Sequence, residues 1–190
     1  MKARWYLDRA DVARQTQVPR QVLLVADASG DGTAGTLHAL AATYPQGWIE
    51  VIELPHNQGP SRARNAGWER ATQEYIAFLD SDDTWASTKL VLQLRALRED
   101  PSIVLISHPM PILERDAPKP APPRSARTRI VGRRRLLLNN PFPTPSVVLR
   151  RDLPYRFDEK FRRVEDFLLW GQIAFSGYRC AKLDAELGYL

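Results

Sequence analysis

Phe78-Leu79-Asp80-Ser81-Asp82-Asp83-Thr84-Trp85 is the stretch on which the reading of this chain turns. An apolar run, Tyr75 to Leu79, ends in three carboxylates within four residues. A buried strand of this kind delivers acids to its own carboxyl end. Carboxylates packed together repel one another and resist desolvation. A hard divalent cation relieves both problems. Mg²⁺ or Mn²⁺ takes one or two protein carboxylates and fills its other positions with water and ligand phosphates. The stretch therefore suggests a site for a cation and a diphosphate at a strand end. An acidic turn capping the next helix would have the same local composition, and eight residues alone do not choose between the two.

The flanking sequence supplies context. Upstream, Val22 to Ala26 is a short continuous apolar run and reads as a buried strand. It ends in the turn-rich Asp27-Ala28-Ser29-Gly30-Asp31-Gly32-Thr33, where Ser29 or Asp31 can cap a helix running to about Thr43. Trp48 to Leu54 reads as a second strand, and Ser61 can cap a helix carrying Arg62, Arg64, Trp68 and Arg70. Tyr75 to Leu79 is the third strand. Ser87 or Thr88 opens an amphipathic helix with Leu90, Leu94 and Leu97 on one face, and Ile103 to Ile106 is a fourth strand. Lys2 to Gln15 has helical spacing of Trp5, Tyr6, Ala10 and Ala13. This alternation predicts an α/β domain with a largely parallel sheet. Ligands of such sheets bind beyond the carboxyl ends of strands, where Asp27 and Asp80 both fall.

Residues 109–135 differ in composition. Prolines 111, 118, 120, 122 and 123 interrupt regular structure, and seven arginines make the stretch basic. It reads as a long surface loop entering a short helix, Arg133 to Leu138. Thr144 to Leu149 reads as another strand, Glu165 and Asp166 fall in the first turn of a helix, and Tyr178 to Leu183 closes the pattern.

Bulk properties narrow the function class. The 190 residues suffice for one domain with a real core. The content is 44% hydrophobic and 26% charged, which excludes wholesale disorder. A single cysteine, Cys180, forms no internal disulfide and suits a reducing compartment. His38, His56 and His108 show no metal-ligand spacing. No apolar run reaches membrane-spanning length, and the N-terminus carries no signal-peptide core. The net charge of +5 suits a phosphorylated ligand or an anionic membrane surface. No aromatic–basic stacking pattern points to nucleic acid.

Five stretches, in this order, resemble the family 2 glycosyltransferases of the GT-A fold. They are Val25 to Thr33; Asn57-Gln58-Gly59-Pro60-Ser61-Arg62-Ala63-Arg64-Asn65-Ala66-Gly67; Phe78 to Trp85, with the D-x-D pair Asp80 and Asp82; Asn140 to Arg151; and Glu165-Asp166-Phe167-Leu168-Leu169-Trp170. The resemblance implies one GT-A-like domain over residues 1–190. Residues 1–108 would bind nucleotide, 109–135 form the Pro/Arg-rich loop, and 136–190 face the acceptor. It implies a UDP- or GDP-sugar donor contacted by Asp27 at the base, Arg64 at the diphosphate, and Asp80 and Asp82 at the ribose and phosphates. Mn²⁺ or Mg²⁺ would be held by Asp82 and Asp83. The acceptor would be a hydroxyl of a glycan or lipid-linked molecule, in envelope polysaccharide assembly at the cytoplasmic side, with peripheral membrane association. Inversion by single displacement requires a carboxylate base. Adjacent helix positions point about 100° apart, so one of the pair faces the site: Asp166 is expected as base and Glu165 as its positioning neighbour. Asn57, Gly59, Asn65 and Gly67 are expected to be architectural, and Trp85 and Trp170 to pack.

The sequence departs from the family at the front. No apolar strand precedes Val22, so the expected sheet lacks its first strand; Met1 is expected to lie downstream of a true start, the alternatives being a degenerate fragment, or a sheet that closes up or borrows a strand from another chain. Ala26 and Ala28 replace an Asp and a Gly common in the family. The alternative function is a catalytically impaired remnant that binds or scaffolds. A nucleotidyltransferase would require a glycine-rich, lysine-bearing signature that is absent.

Overall fold

The apolar run after Gln21 forms β1 (Val22–Ala26) in a computed structural model that describes residues 12–28, 30, 32–113 and 120–190. The expected N-terminal helix lies outside the described residues except at 12–15, where the chain turns. β1 leads through α1 (Thr33–Ala41) to β2 (Ile49–Glu53), and the two strands pair in parallel from Val22–Ile49 to Ala26–Glu53. α2 (Pro60–Arg70) follows, then β3 (Tyr75–Ala77), β4 (Thr84–Trp85), α3 (Lys89–Glu99), β5 (Ile103–Ser107), β6 (Thr128–Ile130) and α4 (Arg133–Leu136). A 3₁₀ turn (Thr144–Ser146), β7 (Val148–Arg150), α5 (Glu165–Phe175), β8 (Arg179–Leu183) and β9 (Gly188–Tyr189) complete the chain order.

The helix starts differ from the sequence expectation. α1 begins behind Gly32 at φ 80°, with no side-chain cap, and Ser29 and Asp31 lie outside the described residues. α2 begins behind Gly59 at φ 86°, with Pro60 in its first turn, where a missing N–H costs nothing. Ser61 is therefore inside the helix, and its hydroxyl donates to the Phe161 carbonyl at 3.2 Å.

Strand direction also differs. The main sheet has the order β3-β7-β5-β8-β6. β5 and β8 are parallel, but β7 runs antiparallel to both β3 and β5, and β6 antiparallel to β8. β3, β5 and β8 thus share one direction, and the sheet is mixed rather than largely parallel. A buried apolar run carries no record of its direction, so the pattern could not report this. All three residues of β6 are exposed. With no apolar signal, this edge strand reads in the sequence as part of the Pro/Arg loop. β4 and β9 pair over two residues each, too short for any pattern. Their approach requires glycine: a Cβ on Gly188 would lie 2.7 Å from the Thr84 carbonyl oxygen.

Both faces of the sheet are covered. Ile103, Ile106, Val148, Ala181 and Leu183 pack with Leu90, Leu92, Ala96 and Leu97 of α3. Val104, Leu105, Leu149 and Cys180 pack with Leu169, Trp170 and Ile173 of α5 and with Trp68 of α2. Val104 and Leu105 share a side because the ladder shifts register between Ile103 and Leu105.

Among the described residues no strand joins β1 to β3. Between them lies a cavity of about 1010 Å³, lined by every residue of both strands. At its carboxyl-end rim stand Asp27, Arg64, Asp80 and Ser81.

α3 also buries a charge. Lys89, the first residue of α3, is fully buried, with Nζ 4.1 Å from the Trp85 ring centroid and no hydrogen-bond partner among the described residues. Burial pushes its pKa well below the ordinary lysine value of 10.5. The unfolded chain holds that proton more tightly, so stability should rise with pH from the depressed value up to the ordinary one. Lys89→Met removes the penalty of an unpartnered buried amine, roughly 1–3 kcal/mol. That is a Tm gain of roughly 2–12 °C near neutral pH, shrinking in the alkaline range. Thermal melts at both pH values check it, and a variant melting below the parent at both would refute it.

Candidate functional site

The first acid is a loop organiser. Asp27 follows β1 directly, and its Oδ1 and Oδ2 accept from the backbone N–H groups of Gln58 at 2.7 Å and Gly59 at 2.8 Å. Asn57 Nδ2 donates to the Asp27 carbonyl at 3.3 Å. The turn ahead of α2 is thereby pinned to the end of β1. Gly67 faces β1, where a Cβ would sit 3.6 Å from Val25 Cγ2, an ordinary packing contact. Asn65, buried, accepts from the Phe157 N–H at 3.0 Å and donates to the Phe157 carbonyl at 2.8 Å. Asn57, Gly59 and Asn65 thus have the architectural roles expected of them.

Arg64 is the centre of the arrangement. From α2 its Nη2 meets both oxygens of Asp80, at 3.0 and 2.9 Å, and its Nη1 meets Glu165 Oε1 at 2.8 Å. The guanidinium lies 5.5 Å from the Phe157 ring centroid. Burial alone would lower the Arg64 pKa, but Asp80 and Glu165 outweigh it and hold the group above its ordinary value. A planar fork presents fixed, diverging N–H groups to two carboxylates at once, a geometry that the point charge of an ammonium lacks. The residue thus ties the end of the third strand to the start of α5, 101 positions further along the chain.

Asp83 is strained electrostatically. Asp83 is pushed up to about 7, first by burial and then by Asp80 and Asp82, with Arg64 working against them. Its N–H donates to the Asp80 carbonyl at 3.2 Å, closing the turn that holds the three acids together. Among the described residues no group of three His, Cys, Asp or Glu side chains forms a metal cage. Asp80 is occupied by Arg64, which leaves Asp82 and Asp83 as the free carboxylates. Two crowded oxygen donors without a cage suit a hard cation that completes its shell with water and phosphate oxygens.

Glu165 and Asp166 open α5, where acids favour the helix dipole. Glu165 is buried against Arg64. Asp166 points elsewhere: Oδ2 accepts from Asn140 Nδ2 at 2.8 Å and Thr144 Oγ1 at 3.3 Å, and Oδ1 from the Phe167 N–H at 2.6 Å. The adjacent carboxylates are separated in function by their hydrogen bonds. Sequence reasoning gives Asn140 and Thr144 no role of their own. They lie 26 and 22 residues before Asp166, and no local spacing connects them to it. Val164, a β-branched residue at φ 59°, immediately precedes the pair, and Ala28 at φ 45° immediately follows Asp27. Such conformations cost free energy and concentrate where a site must be aimed.

The structure therefore gathers Asp27, Arg64 and Asp80 on one cavity rim, with Glu165 joined through Arg64. Asp82, Asp83 and Asp166 do not line the cavity. Trp85 and Trp170 are buried packing residues, the first donating from Nε1 to the Pro145 carbonyl at 2.8 Å.

Residues 10–156 match the profile of Glycosyl transferase family 2. The chain belongs to this family. The succinoglycan biosynthesis protein ExoO of Rhizobium meliloti (strain 1021) is 27% identical over 190 residues, covering 93% of this chain and 53% of that protein. A UDP complex of S. aureus TarS superposes with a TM-score of 0.75 at 22% identity, over 100% of this chain and 57% of that one. The mannosyltransferase PcManGT of Pyrobaculum calidifontis, solved with GDP-Man and Mn²⁺, superposes with a TM-score of 0.73 at 21% identity, over 99% and 53%. These likenesses establish the GT-A fold. The chain spans about half the length of these relatives or less. Among the described residues no helix is long and apolar enough to cross a membrane.

Proposed function

We propose that this family 2 domain binds a UDP- or GDP-sugar and transfers the sugar, with inversion, to a hydroxyl of a glycan or lipid-linked acceptor. One observation carries the proposal: Arg64 joins Asp80, at the cavity rim, to Glu165, beside Asp166. A donor-side acid and the expected base are thereby held in one rigid unit. The UDP and GDP-Man complexes of the structural relatives support the donor class, and the Mn²⁺ of PcManGT supports a divalent cation.

In this reading the nucleotide enters the rim between Asp27 and Asp80. Asp27, already holding the Asn57–Gly59 turn, keeps spare lone pairs for the base. Arg64 stabilises charge near the diphosphate and fixes Asp80 for the ribose. Asp82 and Asp83 would hold Mn²⁺ or Mg²⁺, which supplies Lewis-acid stabilisation of a departing nucleoside diphosphate. Asp166 takes the proton of the acceptor hydroxyl as its oxygen attacks the anomeric carbon on the face opposite the leaving group. Asn140 and Thr144 orient that carboxylate, and Glu165 sets the helix start by its grip on Arg64. The proposed setting is the cytoplasmic side of envelope polysaccharide assembly.

Calorimetric titration of UDP and GDP, with and without Mn²⁺, tests the donor half. Binding should require the cation and weaken about tenfold or more in Asp82→Ala, the loss of one charge-assisted ligand. Absence of nucleotide binding under every metal condition defeats the proposal. The separation of β1 from β3 favours a second reading, a domain that binds nucleotide without turnover. Metal-dependent binding with no release of sugar from a labelled donor would select it.

A further inference from the structure

We propose that the surface flanking Asp166 docks on an anionic lipid bilayer. α4 carries Arg133, Arg134 and Arg135, all exposed and without an ion pair among the described residues. Only Leu136 of this helix turns inward, fully buried against the α5 side of the core. That anchor forces the next two residues outward, and Leu137 and Leu138 are 68% and 86% exposed. A second run has the same character: Arg162 and Arg163 are exposed between Phe161 and Val164, which are themselves 45% and 58% exposed.

The two runs meet at the candidate base. Leu138 lies two residues before Asn140, Val164 lies two residues before Asp166, and Asn140 is hydrogen-bonded to Asp166 at 2.8 Å. Apolar side chains interleaved with unpaired arginines on one surface match what a membrane interface demands. The leucines enter the acyl boundary while the guanidinium groups meet anionic headgroups. A nucleic-acid backbone would use the arginines but leave the leucines in water, so the pairing of the two favours lipid. Contiguous exposed apolar side chains rimmed by charge mark interaction sites. The docking reading does not depend on the transfer reading, because vesicle binding is measured without donor or acceptor. If both hold, Asp166 faces a hydroxyl presented at the bilayer surface.

Vesicle co-sedimentation of the full chain tests it. Vesicles of equal parts phosphatidylcholine and phosphatidylglycerol should retain the protein, and pure phosphatidylcholine should not. Each Arg is worth about a fivefold change in affinity at an anionic surface, so Arg133→Gln/Arg134→Gln/Arg135→Gln should weaken binding roughly 100-fold. Leu137→Ser/Leu138→Ser should weaken it roughly tenfold or more at the same charge. Thermal melts matching the parent would show that both variants are folded. Failure to bind anionic vesicles, parental binding by both variants, or equal retention by pure phosphatidylcholine would overturn the proposal. So would tighter retention by an RNA oligomer than by the anionic vesicles.

Discussion

Asp166→Asn should lower turnover by roughly 10²–10⁴-fold, the usual contribution of a positioned general base, while nucleotide affinity stays near that of the parent. The substitution is close to isosteric. Its amide oxygen can still accept from Asn140 and Thr144, which now donate to Asp166 Oδ2. Its nitrogen cannot take a proton. Asp166 also makes no contact with Arg64, whose hydrogen bonds go to Asp80 and Glu165. The donor rim is therefore undisturbed. Glu165→Gln makes the contrast: it weakens the charge pairing with Arg64 but leaves Asp166 in place, so it should affect stability and donor binding more than the chemical step. Steady-state kinetics with calorimetric nucleotide affinities separates the two. A variant Asp166→Asn turning over at the parental rate would place the base elsewhere.

Arg64→Ala should be the most destabilising single change at the site. The Arg64 side chain is 14% exposed, and its partners Glu165 and Asp80 are 11% and 36% exposed. Truncation leaves two carboxylates without their cation. Removing one partner of a buried pair costs about 3–5 kcal/mol; solvent screening of Asp80 reduces this to about 2–3 kcal/mol here. For a chain of this size that is a Tm loss of roughly 4–12 °C. Arg64 also opposes the rise of the Asp83 pKa, so its loss should make Asp83 harder to ionise and weaken nucleotide binding further. Arg64→Lys should fall between, because one ammonium can meet Asp80 or Glu165 but not both in the observed geometry. Thermal melts with nucleotide titration check both variants. An Arg64→Ala protein with parental Tm and parental nucleotide affinity would show that the three-residue bridge contributes to neither.

The acid cluster, the strand ends and the order of the helices were legible because each is a local pattern. Tyr75 to Leu79 is apolar and ends in acids, so a strand carrying carboxylates to its tip follows directly, although the paired part is shorter, Tyr75–Ala77. The run before Asp27 reads the same way. Strand direction was not legible: β7 inserts antiparallel between β3 and β5, and an apolar run is the same read either way across a sheet. The burial of Lys89 was not legible either: a lysine at a helix start carries no local sign of it, and only tertiary packing of α3 sets it over Trp85.

The sequence by itself determined the chemistry on offer: three adjacent carboxylates, an arginine in a glycine-bounded helix start, and a pair of acids opening a late helix. Their order along the chain was enough to place it among family 2 glycosyltransferases. Only the tertiary structure decided how those groups divide the work. Arg64 selects Asp80 and Glu165 over their neighbours, and Asn140 and Thr144 select Asp166. The physical reason is range. Periodicity and capping act over a few residues, whereas the hydrogen bond from Arg64 to Glu165 spans 101 positions and exists only once β3, α2 and α5 have packed around one core.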